Sequence, residues 1–292
     1  MIKIIVDSTT DLPTEYFEKY NIEIVPLIVN IDGAEYKDKV NISLEELYTA
    51  LRKGADIKTS QPNIQDVYDV LKKHAENQDD VIFITISSKL SGTFQTIYMV
   101  AQQIKEEHPE FNISIIDSKG GSAVAGLMAL QGARCIQNKL PFSQIVINLA
   151  DMADHSEHIF TVADLRYLHK SGRLGRATAL IGNLLRIKPV LHVKNGEILL
   201  LSKIRGKSKA ISHLIEIVKE RIKVFSKQII AIMHADDYEL ALEVKDKIID
   251  QVGDNEIIIN QIGSVLGTHL GIGGVGIFFF NKKPKYYFEG DI

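Results

Sequence analysis

The chain has 292 residues, of which 45% are apolar and 24% charged, the balance of a globular protein with a sizeable core. That length fits two domains or one large one, and it excludes a disordered chain or a small scaffold that needs staples. The formal charge is −3 and the single cysteine is Cys135, which excludes a global basic field for nucleic acid, an internal disulfide and a Cys-rich zinc site.

The apolar start, Ile2 to Val6, stops at Asp7, too early for a secretory signal, and no run approaches the ~18 apolar residues of a membrane span. A soluble, cytoplasmic protein without stable membrane insertion is expected. Ile2 to Val6 reads as a strand buried on both faces. Asp7-Ser8-Thr9-Thr10-Asp11 supplies turn and cap chemistry, and Pro13 suits the first turn of a helix. Ile22 to Ile31 reads as a second extended segment, and Ser43-Leu44-Glu45-Glu46 as a capping box opening a helix. Lys58-Thr59-Ser60-Gln61-Pro62 reads as a polar turn before another helix. Val81 to Ile86 is the next strand, then Ser87-Ser88-Lys89-Leu90-Ser91-Gly92-Thr93 and a long helix to about Glu107. Ile113 to Ile116, Asp117-Ser118 and a helix through Cys135 complete an alternation typical of a parallel sheet covered on both faces.

The second half changes character. Ile159 to Ala163 reads as a strand, and Lys194-Asn195-Gly196 between two apolar runs as a hairpin. An amphipathic helix from Ser208 to Val224 follows, then strand Ile229 to Met233 and helix Tyr238 to Asp250. Late strands fall at Ile257 to Ile259 and Val275 to Phe280. The fold class is therefore α/β with two domains. Residues 1–155 form a parallel-sheet α/β domain and residues 156–292 an α+β domain with a mixed or antiparallel sheet.

Several motifs fail their context tests. Gly271-Ile272-Gly273-Gly274-Val275-Gly276 matches a dinucleotide fingerprint by letter but leads into a strand. Gly206-Lys207-Ser208 lacks the first glycine of a P-loop, and His155 with His158 lacks the pattern of a metal site. Arg166, Lys170, Arg173, Arg176 and Arg186, with Tyr167 among them, form either a solvated face or a contact surface for a protein or phosphate.

The polar turns carry the functional signal. Turns after strands gather at the carboxyl edge of a parallel sheet, where ligands bind. The turn from Ser87 to Thr93 opens a helix, so it suits an anion, although Ser88 or Ser91 as a plain N-cap explains it equally well. The turns hold no base beside a serine, so they look able to hold an acid group and unable to transform it.

These same residues resemble the DegV family. Asp7-Ser8-Thr9-Thr10-Asp11-Leu12 is similar to its D-S-T-x-D-L opening, Thr59-Ser60-Gln61-Pro62 to its T-S-Q-P turn, and Ser87 to Thr93 to its S-S-x-L-S-G-T, with Lys89 where glycine is frequent. Asp117-Ser118, Leu168 to Arg173, Lys188-Pro189 and the terminal glycine-rich strand match further blocks in order.

The resemblance implies a bacterial carrier for one long-chain fatty acid, with the ligand at the domain interface and no other cofactor. The tail would be buried and the carboxylate shown to a separate fatty acid kinase, which makes acyl phosphate for phospholipid synthesis. Thr59 and Ser91 would donate to the carboxylate, His269 and Arg205 would lie near the head group, and Ser60 and Gly92 would shape the pocket. The carrier itself would not catalyse. Two rivals remain: a regulatory protein sensing a small acid, and an enzyme using the Ser-rich turns with His269.

Overall fold

The structure is a computed structural model that describes residues 1–174 and 187–290. The first sheet contains β1 (Ile2–Asp7), β2 (Glu23–Val25), β6 (Asp80–Thr85) and β7 (Ile113–Asp117), in the order β2-β1-β6-β7 with every pair parallel. Its strands are apolar on both sides because both sides are covered. Ile5, Val81 and Phe83 pack under α3 (Ile64–Glu76) and α4 (Thr93–Glu107), while Ile4, Val6, Ile82 and Ile84 join the core around α5 (Ala123–Gln137) and α6 (Phe142–Asp154).

The second sheet is mixed, as the hairpin signal requires. Its order is β10-β9-β8-β13-β11-β12, from β8 (Ser156–Thr161), β9 (Ile187–Lys194), β10 (Glu197–Arg205), β11 (Ile230–His234), β12 (Ile257–Gln261) and β13 (Val275–Phe280). Only β11 and β12 pair in parallel; the other neighbours are antiparallel. One face packs against α8 (Lys207–Arg221) and α9 (Tyr238–Val252) through Ile159, Val190, Ile232 and Ile277. Asn195 and Gly196 both take positive φ, 52° and 85°, the conformation an Asn-Gly hairpin turn demands.

α5 lies between the two sheets, touching β1 and β6 on one side and β8, β11 and β13 on the other. A helix with a sheet on each side has no solvent face, which explains its run of Ala, Gly, Val, Leu and Met. Gly126 has Leu12 where a side chain would start: an added Cβ would sit 2.4 Å from Leu12 Cγ. Arg134, buried near the end of α5, donates to the Phe288 carbonyl at 2.8 Å, and Gln131 pairs with both backbone groups of Phe288. These bonds strap the C-terminal segment across the helix.

Three sequence readings need correction. Ile22 to Ile31 is two strands broken at Pro26: β2 joins the parallel sheet, and β3 (Ile28–Ile31) joins a separate antiparallel sheet. That small sheet, ordered β4-β3-β5, adds β4 (Ala34–Lys37) and β5 (Ile57–Ser60). Lys58-Thr59-Ser60 is therefore strand, because β3 supplies a pairing partner, with Val29 opposite Thr59. Lastly, Asp7 to Asp11 does not line a ligand site but cross-links the loops. Asp7 accepts from the Ile86 N–H at 2.6 Å and from Thr9; Asp11 accepts from Ser122 Oγ at 2.8 Å and from the Gly263 N–H at 3.0 Å. Burial pushes the Asp11 carboxyl up to about 7 despite Lys39 beside it.

The packing of α5 sets a stability test. Gly126→Val should destabilise the fold by about 1–3 kcal/mol or more through overpacking. Gly121→Ala, whose new Cβ would meet Ile86 at an ordinary 3.4 Å, should stay within about 1 kcal/mol of the parent. Urea denaturation of both variants measures the contrast; equal losses would show that α5 is not tightly held against Leu12.

Candidate functional site

At the N-terminal end of α5 lies a cavity of about 340 Å³, within the range of small-molecule sites. Its walls are mostly apolar: Ile86 and Leu90 follow β6, Phe160 and Phe278 lie on the mixed sheet, Val162 follows β8, and Leu266 and Leu270 lie on α10 (Ser264–Leu270). Polar groups line it too: Thr59, Ser60, Gln61, Ser91, Gly92, Arg173 and His269, with Ser122, His158 and Thr161. Leu90, Ser91, Gly92 and Arg173 also line an adjoining open depression with Ser88, Lys89 and Gln95, so the mouth lies at Ser91 and Arg173.

Each polar group arrives on a different element. β5 carries Thr59 inward, and α10, packed on β5, brings His269 against it: Thr59 Oγ1 and His269 Nε2 are 2.8 Å apart. The turn after β6 is pinned by Ser88, whose Oγ donates to Asp117 at 2.5 Å, and by Ser87, which donates to the Gly196 carbonyl at the hairpin tip at 2.8 Å. Ser91 then stands just before α4. Its Oγ lies 2.8 Å from Thr93 Oγ1 and accepts from the Thr93 N–H at 3.3 Å. Gly92 is the N-cap residue of α4, with no side-chain cap, and a Cβ there would press on Gln61 Oε1 at 2.7 Å. The mouth thus combines hydroxyls, the positive end of a fifteen-residue helix and a guanidinium.

Burial, with a smaller effect from Arg173, holds the His269 imidazole down to about 4, so it is neutral near pH 7. Its Nδ1 is buried without a hydrogen-bond partner. No group of three or more His, Cys, Asp or Glu among the described residues is placed to hold a metal, and no helix among them is long and apolar enough to cross a membrane.

Of the residues expected from sequence, the structure brings Thr59, Ser60, Ser91, Gly92 and His269 together. It does not bring Arg205, which is exposed at the end of β10 and does not line the cavity, because the β9–β10 ladder ends there, with Arg205 opposite Ile187. Arg173 supplies the positive charge at the mouth instead, donating to the Leu90 and Ser171 carbonyls. Arg166 pairs with Asp164 and Lys170 with Asp56, while Tyr167 of α7 (Arg166–Lys170) packs on Gly271. Arg176 and Arg186 lie outside the described residues. His158, set aside in the sequence because it lacks metal-site spacing, lines the inner cavity, as do Gly121 and Ser122. Strand periodicity alone puts His158 on the same face as Phe160.

The cavity is mostly apolar, with hydroxyls and a guanidinium at its mouth, and it is lined from both the parallel-sheet and the mixed-sheet parts of the fold. Comparison with known proteins agrees on the architecture. A family model described as "Uncharacterised protein, DegV family" matches residues 1–282. The chain is 34% identical over 287 residues to a DegV domain-containing protein of Clostridium perfringens, covering 97% of this chain and 99% of that one. A DegV family protein from Thermus thermophilus, described for its fatty acid binding, superposes with a TM-score of 0.88 at 28% identity, covering 96% and 99% of the two chains. DegV from Bacillus subtilis, described as a fatty acid binding protein, gives 0.85 at 30% identity over 96% and 99%. A stearic acid-binding protein from Eubacterium ventriosum gives 0.87 at 29% identity over 98% and 99%. This chain belongs to the DegV family.

The depressed basicity of His269 is directly measurable. By NMR, its ring should stay neutral as pH falls from 8 through 5 and protonate with a midpoint near 4. Because the unfolded ring titrates near 6.5, folding stability from this group should fall as pH drops through that window. A midpoint near 6.5 in the folded protein would contradict the buried environment.

Proposed function

We propose that this protein binds one long-chain fatty acid, the tail filling the cavity and the carboxylate at the mouth held by Thr59 and Ser91. The observation that carries the reading is a mostly apolar cavity whose open end carries Ser91, the N-terminus of α4 and Arg173. Homologues of the same fold that carry fatty acids support it.

The energetics divide the labour. Burying a sixteen-carbon tail at ~0.8 kcal/mol per methylene is worth on the order of 12 kcal/mol gross, much of it offset by ordering the chain. A carboxylate costs several kcal/mol to desolvate unless it is paired. Donors to a charged group return roughly 1.5–3 kcal/mol each. The tail supplies affinity and the hydroxyls set orientation. A neutral His269 that donates from Nε2 to Thr59 Oγ1 leaves the Thr59 proton free for the ligand; in the same way, a Thr93 hydroxyl that donates to Ser91 frees the Ser91 proton. Ser60 and Gly92 shape this end, Gly92 by leaving room for Gln61.

The carboxylate at an open mouth suits presentation to a separate fatty acid kinase, which would form the acyl phosphate for phospholipid synthesis; Arg173 and the α4 N-terminus would receive the added charge. We assign the chain a carrier role in the cytoplasm, with no catalysis of its own. The structure does set a hydroxyl beside an imidazole, Thr59 with His269, a pairing not visible in sequence. Yet an imidazole held near 4, with Nδ1 unoriented by any third group, is poorly suited to activate a nucleophile at neutral pH.

Head-group variants test the assignment. Thr59→Val and Ser91→Ala should each weaken octadecanoic acid binding by roughly tenfold or more while leaving octadecanol nearly unchanged. Displacement of a fluorescent fatty acid gives both affinities. Equal losses for the acid and the alcohol would mean that these hydroxyls do not meet the carboxylate.

A further inference from the structure

One polar side chain in the inner cavity has no role in holding a carboxylate. His158 stands on β8 opposite Phe278 of β13, its ring edge-on to the phenyl at 5.6 Å between centroids. It is buried to 3% exposure and lines the cavity without reaching the mouth. The fold makes room for it. A Cβ on Gly120 would fall 1.9 Å from His158 Nε2, so only glycine at 120 admits the imidazole. Nε2 accepts from the Gly121 N–H at 3.3 Å, which leaves the ring proton on Nδ1. That Nδ1 is buried and has no hydrogen-bond partner. Burial also holds this imidazole down to about 3, so it is a neutral donor throughout the physiological range.

A buried donor without a partner is costly, and a plain hydrocarbon chain would leave it so. An oxygen atom on the chain would satisfy it. Resting on the acyl-binding reading above, we propose that His158 makes this cavity selective for long-chain acids bearing a hydroxyl or carbonyl oxygen within the buried part of the chain, which accepts from Nδ1–H. In a purely apolar tunnel every such oxygen is penalised. Here a position beside His158 is matched.

The test uses the full-length protein, stripped of lipid, with octadecanoic acid and a positional series of monohydroxy-octadecanoic acids. One isomer should bind within a few-fold of octadecanoic acid or more tightly, while the others lose about tenfold or more. His158→Phe should lower the affinity of that isomer relative to octadecanoic acid about tenfold. His158→Gln, which keeps an N–H donor, should restore part of the preference. An equal penalty for every isomer in the parent protein would overturn the proposal even if neither variant folds, as would a preference that survives His158→Phe. Failure of octadecanoic acid itself to bind would overturn the underlying acyl-binding reading instead.

Discussion

The structure depends on one constraint: α5 has no face in water. A helix covered by a sheet on each side must be small and apolar along most of its length, and α5 is, with Gly126 against Leu12 and Gly132 against Ile4 and Leu149. The two charged or polar side chains it does bury, Arg134 and Gln131, are spent on the Phe288 backbone, which satisfies both partners. Because α5 stops at Ser122, the layer it fills ends there as well. The cavity lies at that end of α5, where Gly121 and Ser122 line it together with α10.

Three acids hold the rim of that space, Asp7 and Asp11 buried and Asp117 half-buried. Asp7 fixes the end of β6, Asp11 ties the start of α5 to Gly263 before α10, and Asp117 holds the turn that ends in Ser91. Ser122 shows the local cost. It adopts φ 55° and ψ −135°, a conformation a serine rarely takes, and is kept there by Asp11 and by its own N–H to the Thr9 carbonyl. Three loops distant in sequence are thereby set around one opening.

Much of this architecture was legible in the sequence, and the gaps have physical causes. Continuous β-branched runs marked β1 and β6, and Asn195-Gly196 marked the hairpin, since both signals are local. The small β4-β3-β5 sheet was not legible, because Thr59 becomes strand only when Val29 lies opposite it. α6 follows Pro141 as the helix Thr14–Tyr20 follows Pro13, so its start too was marked by a proline. The site followed the same rule. The hydroxyls of Thr59 and Ser91 sit in motifs and could be named. The pairing of Thr59 with His269, the inward turn of Arg173 in place of Arg205, and the Gly120 vacancy that seats His158 all arise from tertiary contact.

The central claim is that the cavity holds a single long acyl chain. The most direct measurement is mass spectrometry of the organic extract of the purified protein, quantified against protein. The account predicts close to one long-chain fatty acid per chain, its chemical form reporting what the inner cavity prefers. An empty extract that stays empty after incubation with mixed long-chain acids would contradict it and shift the reading to a sensor of a smaller acid.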